Sequence, residues 1–143
     1  MANIVGTFRS ETIPGTAFAD RIEARAGNDV VNAGNGNDVV FGEAGNDRLN
    51  GQNGADSLYG GLHNDTHVGG AGADSHYGGL GADTFKYNAV SEAVGDRIWD
   101  FNRFQGDKVD VSAIDAKDFS LFDFSSYGNQ AFKWEGYLGS QGL

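Results

Sequence analysis

The apolar residues of this chain recur with a period that fits neither an α-helix nor an ordinary strand. From residue 24 to 86 one slot returns every nine residues, held by Val31, Val40, Leu49, Leu58, His67, His76 and Phe85. Two places before each stands an acid: Asp29, Asp38, Asp47, Asp56, Asp65, Asp74 and Asp83. Glycine and small polar residues fill most of the turn positions before the acid, as in "AGNGNDVVF" (33–41). Counting each unit from position one at Ala24, position four is Gly everywhere except at His63. The frame continues upstream in weaker form: "GTAFADRIE" (15–23) keeps Gly15, Asp20 and Ile22, and "GTFRSETIP" (6–14) keeps Gly6 and Ile13 with Glu11 in the acid slot. An internal repeat of this length decides the architecture before any local propensity does.

Glycines at positions one, two and four suit a turn that visits positive φ. Positions seven to nine leave room for a very short strand, whose middle side chain points opposite to its neighbours. Stacked turn–strand units predict an all-β parallel β-helix with two strands per coil and position eight filling a thin core between two sheets. One coil takes two units, so residues 18 apart lie above one another. The acids then form two columns. Asp29, Asp47, Asp65 and Asp83 line one edge, and Asp20, Asp38, Asp56 and Asp74 line the other.

Composition and charge sharpen this picture. Coils about 4.8 Å apart bring carboxylates close enough to repel by roughly 0.8 kcal/mol in water and about 3 kcal/mol at an effective dielectric near 20. A cation between neighbours reverses the sign. The donors on offer are carboxylates and turn carbonyls, and the chain has no cysteine, so hard oxygen chemistry favours Ca²⁺ over zinc or copper. Magnesium, which holds its water and demands octahedral geometry, is disfavoured. Adjacent acids pair as 29/47, 47/65, 65/83, 20/38, 38/56 and 56/74; six doubly charged ions would turn the formal net charge of −10 into +2. That charge also argues against a nucleic-acid partner. No apolar run is long enough to span a membrane, and "MANIVGTFRS" lacks an apolar signal core.

The units resemble the RTX (hemolysin-type) calcium-binding nonapeptide G-G-x-G-x-D-x-U-x, most closely in "GGAGADSHY" (69–77) and "GGLGADTFK" (78–86). The resemblance implies a parallel β-roll of degenerate N-terminal repeats (1–23), a calcium-binding roll (24–86) and a C-terminal β cap (87–143). It further implies that an ion takes Asp and the carbonyls of positions two and four from one loop, and Asp and the carbonyls of positions one and three from the loop two units on. For the 38/56 site these are Gly34, Gly36 and Asp38 with Gly51, Asn53 and Asp56. For 56/74 they are Gln52, Gly54 and Asp56 with Gly69, Ala71 and Asp74. The same rule brings in Gly27 and Gly42, Gly45 and Gly60, and Gly72, Gly78 and Gly81 in the remaining loops. At 20/38 Phe18 replaces the turn glycine.

The segment "GDRIWDFNRFQGDKVDVSAIDA" (95–116) is similar to the stretch after the roll in serralysin-type metalloproteases, and "QAFKWEGYLGSQGL" (130–143) to a later strand of that domain. Asp100 and Asp107 are expected to add calcium ligands above the roll, with Asp96 and Asp110 as weaker candidates. The resemblance implies a secreted, extracellular protein that leaves by a type I secretion apparatus and folds on calcium outside. The chain ends at Leu143 without the family's acid-plus-apolar terminus, which reads as an excised domain. No H-E-x-x-H or G-x-S-x-G stands in it, so a non-catalytic role, as a monomer, is expected.

Two features depart from the repeat. His67 and His76 occupy core slots beside His63, either as packed neutral imidazoles or as a transition-metal site. Glu23, Phe41, Tyr59 and Tyr77 share one outer face, an aromatic ladder that wants a cover. The cover is expected from the tail residues Phe119, Leu121, Phe122, Phe124, Tyr127, Phe132, Trp134 and Tyr137. The alternative is an alginate-like polysaccharide.

Overall fold

The computed structural model describes residues 1–114. Over that range the chain winds into a parallel β-solenoid of two facing six-stranded sheets. One sheet stacks β1 (Asn3–Val5), β3 (Arg21–Glu23), β5 (Val39–Ala44), β7 (Ser57–Leu62), β9 (Ser75–Leu80) and β11 (Arg97–Ile98). The other stacks β2 (Thr12–Pro14), β4 (Val30–Asn35), β6 (Arg48–Asn53), β8 (Thr66–Ala71), β10 (Thr84–Lys86) and β12 (Lys108–Asp110). Every neighbouring pair is parallel, and successive strands of the chain alternate between the sheets.

The register is the one the repeat demands. Val40 pairs with Leu58 and Leu58 with His76 on one sheet; Val31 pairs with Leu49 and Leu49 with His67 on the other. The roll begins one strand earlier than the repeat frame suggests, because Ile4 pairs with Ile22. It also ends later. Beyond Lys86 the loops lengthen, yet Ile98 still pairs with His76 and Val109 with Phe85.

The strands are longer than the three positions first assigned to them. β4 to β9 each span six residues, running from position seven through position three of the next unit. The backbone bends within the ladder, at position two, where Glu43 and Gln52 adopt φ of 72° and 75°. Position four also has positive φ, even at His63 (78°). Position-one glycines have another cause. They are not in the left-handed region, but a Cβ there would strike the Asp carboxylate of the same unit and, at Gly42, Gly51 and Gly60, a carbonyl of the next coil.

Burial alternates with the pleat. Positions six, eight and one face inward, as Asp47, Leu49 and Gly51 illustrate. Ile13, Ile22, Val31, Val40, Leu49 and Leu58 form one apolar cluster; Phe85, Tyr87 and Ile98 form a second, supported by Phe101 and Val109. His67 and His76 stand in the core slots between them, fully buried. The side-chain ladder on the outer face is a continuous stack: Phe41 on Tyr59 at 4.9 Å, Tyr59 on Tyr77 at 4.5 Å and Tyr77 on Trp99 at 6.2 Å, all within 11° of parallel. Arg21 covers the Phe41 ring and Arg97 the Trp99 ring. The tail residues expected to cover this face, from Phe119 to Tyr137, lie outside the described residues.

Leu58 has no exposed surface, whereas Leu62, on the same strand, is 47% exposed. Leu58→Ala is therefore expected to lower stability at saturating calcium by about 3 kcal/mol, and Leu62→Ala by less than about 0.5 kcal/mol, read from denaturant midpoints.

Candidate metal centre

The aspartates of the repeat lie at the two edges of the roll, where the chain crosses from one sheet to the other. Asp20, Asp29, Asp38, Asp47, Asp56, Asp65, Asp74 and Asp83 are each at most 2% exposed. Each reaches back one coil: its Oδ1 accepts the backbone N–H of the residue 18 earlier, which is Ala2 for Asp20, Glu11 for Asp29 and an aspartate for the others. The bonds Asp20→Asp38, Asp38→Asp56 and Asp56→Asp74 build one column, and Asp29→Asp47, Asp47→Asp65 and Asp65→Asp83 the other, all at 2.7–2.9 Å. The ladder thus continues through the turns with a carboxylate standing in for a carbonyl.

The second oxygen is different. Oδ2 of Asp29, Asp38, Asp47, Asp56, Asp65, Asp74 and Asp83 is buried and has no hydrogen-bond partner. Buried polar atoms are normally paired, and a buried anion without compensation is costly. In the coils from Gly42 onward, Oδ2 points at the position-one glycine of its own unit, into space that a Cβ at Gly42, Gly51, Gly60, Gly69 or Gly78 would fill.

Electrostatics follow the same columns. With no cation beside them, burial, with added repulsion from neighbouring acids, pushes Asp47, Asp74 and Asp83 up to about 6, Asp56 to about 7 and Asp65 to about 8. Asp29 and Asp38 are raised for the same reasons. Asp20 goes the other way. Burial pushes it up, but the N–H groups of Ala2 and Thr16 and the Thr16 hydroxyl outweigh that, and between them they serve both of its oxygens.

The upper ends of the columns are closed by the tail. Asp96 accepts the Asp74 N–H at 2.8 Å, and Asp107 accepts the Asp83 N–H at 3.0 Å and the Asn102 N–H at 2.8 Å. Asp100 stands beside the column, with its oxygens on the N–H groups of Gly78 and Gly79. Asp110 bonds locally to Ser112. Asp96, absent from the nonapeptide frame, carries the same local signal as the repeat acids: acid, one residue, then a core apolar residue, in "DRI" as in "DVV". Its spacing of 22 residues from Asp74, and that of 24 between Asp83 and Asp107, depart from the 18 of the repeat.

A second set of turn bonds was not anticipated. The Oδ1 atoms of Asn28, Asn46 and Asn64 accept the N–H groups of Asn46, Asn64 and Ala82, and Asn37 accepts that of Ala55. These position-five amides reach forward one coil while the position-six acids reach back.

The donor set, carboxylate and carbonyl oxygen, suits Ca²⁺. The expected carbonyl donors stand in the same turns: the position-three carbonyls of Ala44, Asn53, Leu62 and Ala71 each accept one N–H from the preceding coil, at 2.9–3.3 Å, and keep a second lone pair. The matched family is the RTX calcium-binding nonapeptide repeat, found in four copies over residues 5–40, 14–49, 41–75 and 68–85. These cover more than half of the chain, which belongs to the RTX calcium-binding repeat family; such repeats bind Ca²⁺. No curated protein matches the chain.

The raised carboxylates give the cation-free roll a definite pH dependence. A folded-state value above the unfolded one near 3.8 means that the folded chain holds protons that the unfolded chain releases. That contribution to stability is present near pH 4 and lost as pH rises through about 6 to 8. His67, held well below its usual value of 6.5 by burial, works in the opposite sense, losing stability as pH falls. The carboxylates outnumber it. In excess chelator, circular dichroism is expected to show more β-structure at about pH 5.5 than at about pH 8. In saturating calcium the order is expected to reverse, because protons compete for the same oxygens.

Proposed function

We propose that this chain is a non-catalytic, calcium-driven folding module of a secreted protein, exported through a type I apparatus and folded outside the cell. The unpartnered buried Oδ2 atoms of seven aspartates carry this reading. They leave the closed roll electrostatically incomplete, so the ion belongs to the folding equilibrium and is more than a decoration on a finished fold. The pairs 29/47, 47/65, 65/83, 38/56 and 56/74 are the sites with an unpartnered oxygen on both acids. The 20/38 site is the weakest, because Asp20 has protein donors on both oxygens. At the upper end, 74/96 and 83/107 extend the columns, with Asp107 already fully bonded.

The export reading rests on what such coupling does to a chain in transit. An affinity in the range of extracellular modules, roughly 10⁻⁴–10⁻³ M, leaves the chain unfolded in a low-calcium cytoplasm and folded outside. Among the described residues no helix is long and apolar enough to cross a membrane. The polysaccharide alternative gains little from the aromatic ladder. A sugar stacks on the open face of a ring, and here the ring faces are turned toward each other or covered by Arg21 and Arg97.

Calcium titration followed by far-ultraviolet circular dichroism tests the proposal. The chelated chain at neutral pH is expected to lack the β-signal and to gain it cooperatively with a midpoint of roughly 10⁻⁴–10⁻³ M calcium, while magnesium at the same concentration has little effect. A chain equally β-rich in chelator and in calcium at neutral pH would overturn it.

A further inference from the structure

The imidazoles in the core lie beside the acid columns, and one joins three potential ligands. Asp74, His76 and Asp96 offer carboxylate oxygen, ring nitrogen and carboxylate oxygen within 4.8 Å of one another. All three are more than nine-tenths buried, at 1%, 1% and 8% exposure. Asp74 Oδ2 and His76 Nδ1 have no partner. His76 Nε2 stands 3.4 Å from Asp96 Oδ2. That is long for a hydrogen bond between buried groups, which prefers about 2.9 Å. It matches the spacing of about 3.3 Å between two ligands of a tetrahedral ion with bonds near 2.0–2.1 Å.

The surrounding sequence makes this arrangement costly unless it is used. Along the same sheet the core slot is Ile22, Val40 and Leu58 before His76, and Ile98 after it. The layer formed by His67 and His76 separates the two apolar clusters. His67, with its ring centroid 5.7 Å from that of His76, has both nitrogens unpartnered. A polar layer that satisfies few of its own donors and acceptors is destabilising in an otherwise apolar core.

We propose that Asp74, His76 and Asp96 form a site for one divalent transition ion of zinc-like preference, distinct in donor chemistry from the all-oxygen calcium sites of the repeats. Imidazole nitrogen suits zinc, cobalt and nickel, whereas calcium takes oxygen. Two carboxylates and one imidazole make a three-ligand N/O set with a fourth position open to water. The site joins the roll to its first tail strand, since Asp74 precedes β9 and Asp96 precedes β11. It rests on the calcium reading only in sharing Asp74 and Asp96 with the edge column.

Cobalt(II) is the probe. The full chain, stripped of metal and refolded in about 10 mM calcium, is titrated with Co²⁺ and the visible d–d bands are followed. The expected result is one Co²⁺ per chain with the intense bands of low coordination number, displaced by Zn²⁺ and not by Mg²⁺. His76→Phe, matching the Phe85 slot of the next unit, is expected to weaken binding by at least about tenfold. Asp96→Asn, which keeps an acceptor for the Asp74 N–H, is expected to do the same. His63→Gly removes an exposed imidazole at a position that is otherwise glycine, and is expected to leave the bands unchanged. Circular dichroism in calcium reports separately whether each variant folds. If His76→Phe does not fold, Asp96→Asn decides; if neither folds, the stoichiometry and zinc displacement of the unaltered chain decide. A chain that folds with calcium and shows no cobalt bands, or the same bands in His76→Phe and Asp96→Asn, overturns this inference and leaves the calcium reading intact. Cobalt binding by a chain that needs no calcium to fold would uphold it and sink the other.

Discussion

A carboxylate with one oxygen bonded and the other empty-handed is the constraint on which this molecule turns. The bonded oxygen is structural. It lets the parallel ladder pass through a turn where no carbonyl is in position, tying Asp38 to Asp20 and Asp65 to Asp47. The other oxygen is buried by the same geometry, because whatever brings Oδ1 to the backbone of the preceding coil carries Oδ2 inside. Stacking and charge burial are therefore one event. A hydrophobic core two side chains thick, with single residues such as Val40 and Leu49 in each layer, supplies too little apolar burial to override several desolvated anions. A bound cation changes the balance.

Much of this was legible in the chain because a repeat amplifies weak local signals. One Gly-x-Asp-x-Val says little; the same phase held from Asp29 to Asp83 determines coil length, register and which side chains coincide. The inward acids followed from period-two alternation once position eight was known to face inward. What escaped the repeat frame escaped for physical reasons. The position-one glycine serves space for a carboxylate, which is indistinguishable in sequence from a glycine that serves backbone freedom. Strand length was underestimated because Glu43 and Gln52 pair within the ladder at positive φ, a conformation no propensity scale assigns to a strand.

The closing acids were legible as candidates, but which of them join the columns was not. Asp96 and Asp107 belong to the columns by hydrogen bonding and not by spacing, since the inserted loops destroy the period while preserving the register of Ile98 and Val109. The histidines could be placed in the core by their slot, but their relation to the acids depends on the side-chain geometry of two successive coils. The aromatic ladder was visible as a spacing of 18 residues, yet only the near-parallel ring planes separate a closed stack from an open platform.

The opposed reach of the two turn side chains makes the ends of the roll unlike its middle. Interior coils receive an asparagine amide from below and an aspartate carboxylate from above. In the first coil the Ser10 hydroxyl takes the place of the asparagine amide beneath Asn28, and Thr16 bonds the Asp20 oxygen that has no partner in the other repeat acids; at the top, the N–H groups of Asp96 and Asp107 turn back into their own loops, toward Ala93 and Asn102. The turn bonding is individual at the ends, and between them one backbone scheme repeats. Such an architecture can change length by whole coils, through duplication or loss of a two-unit segment, without new solutions at either end.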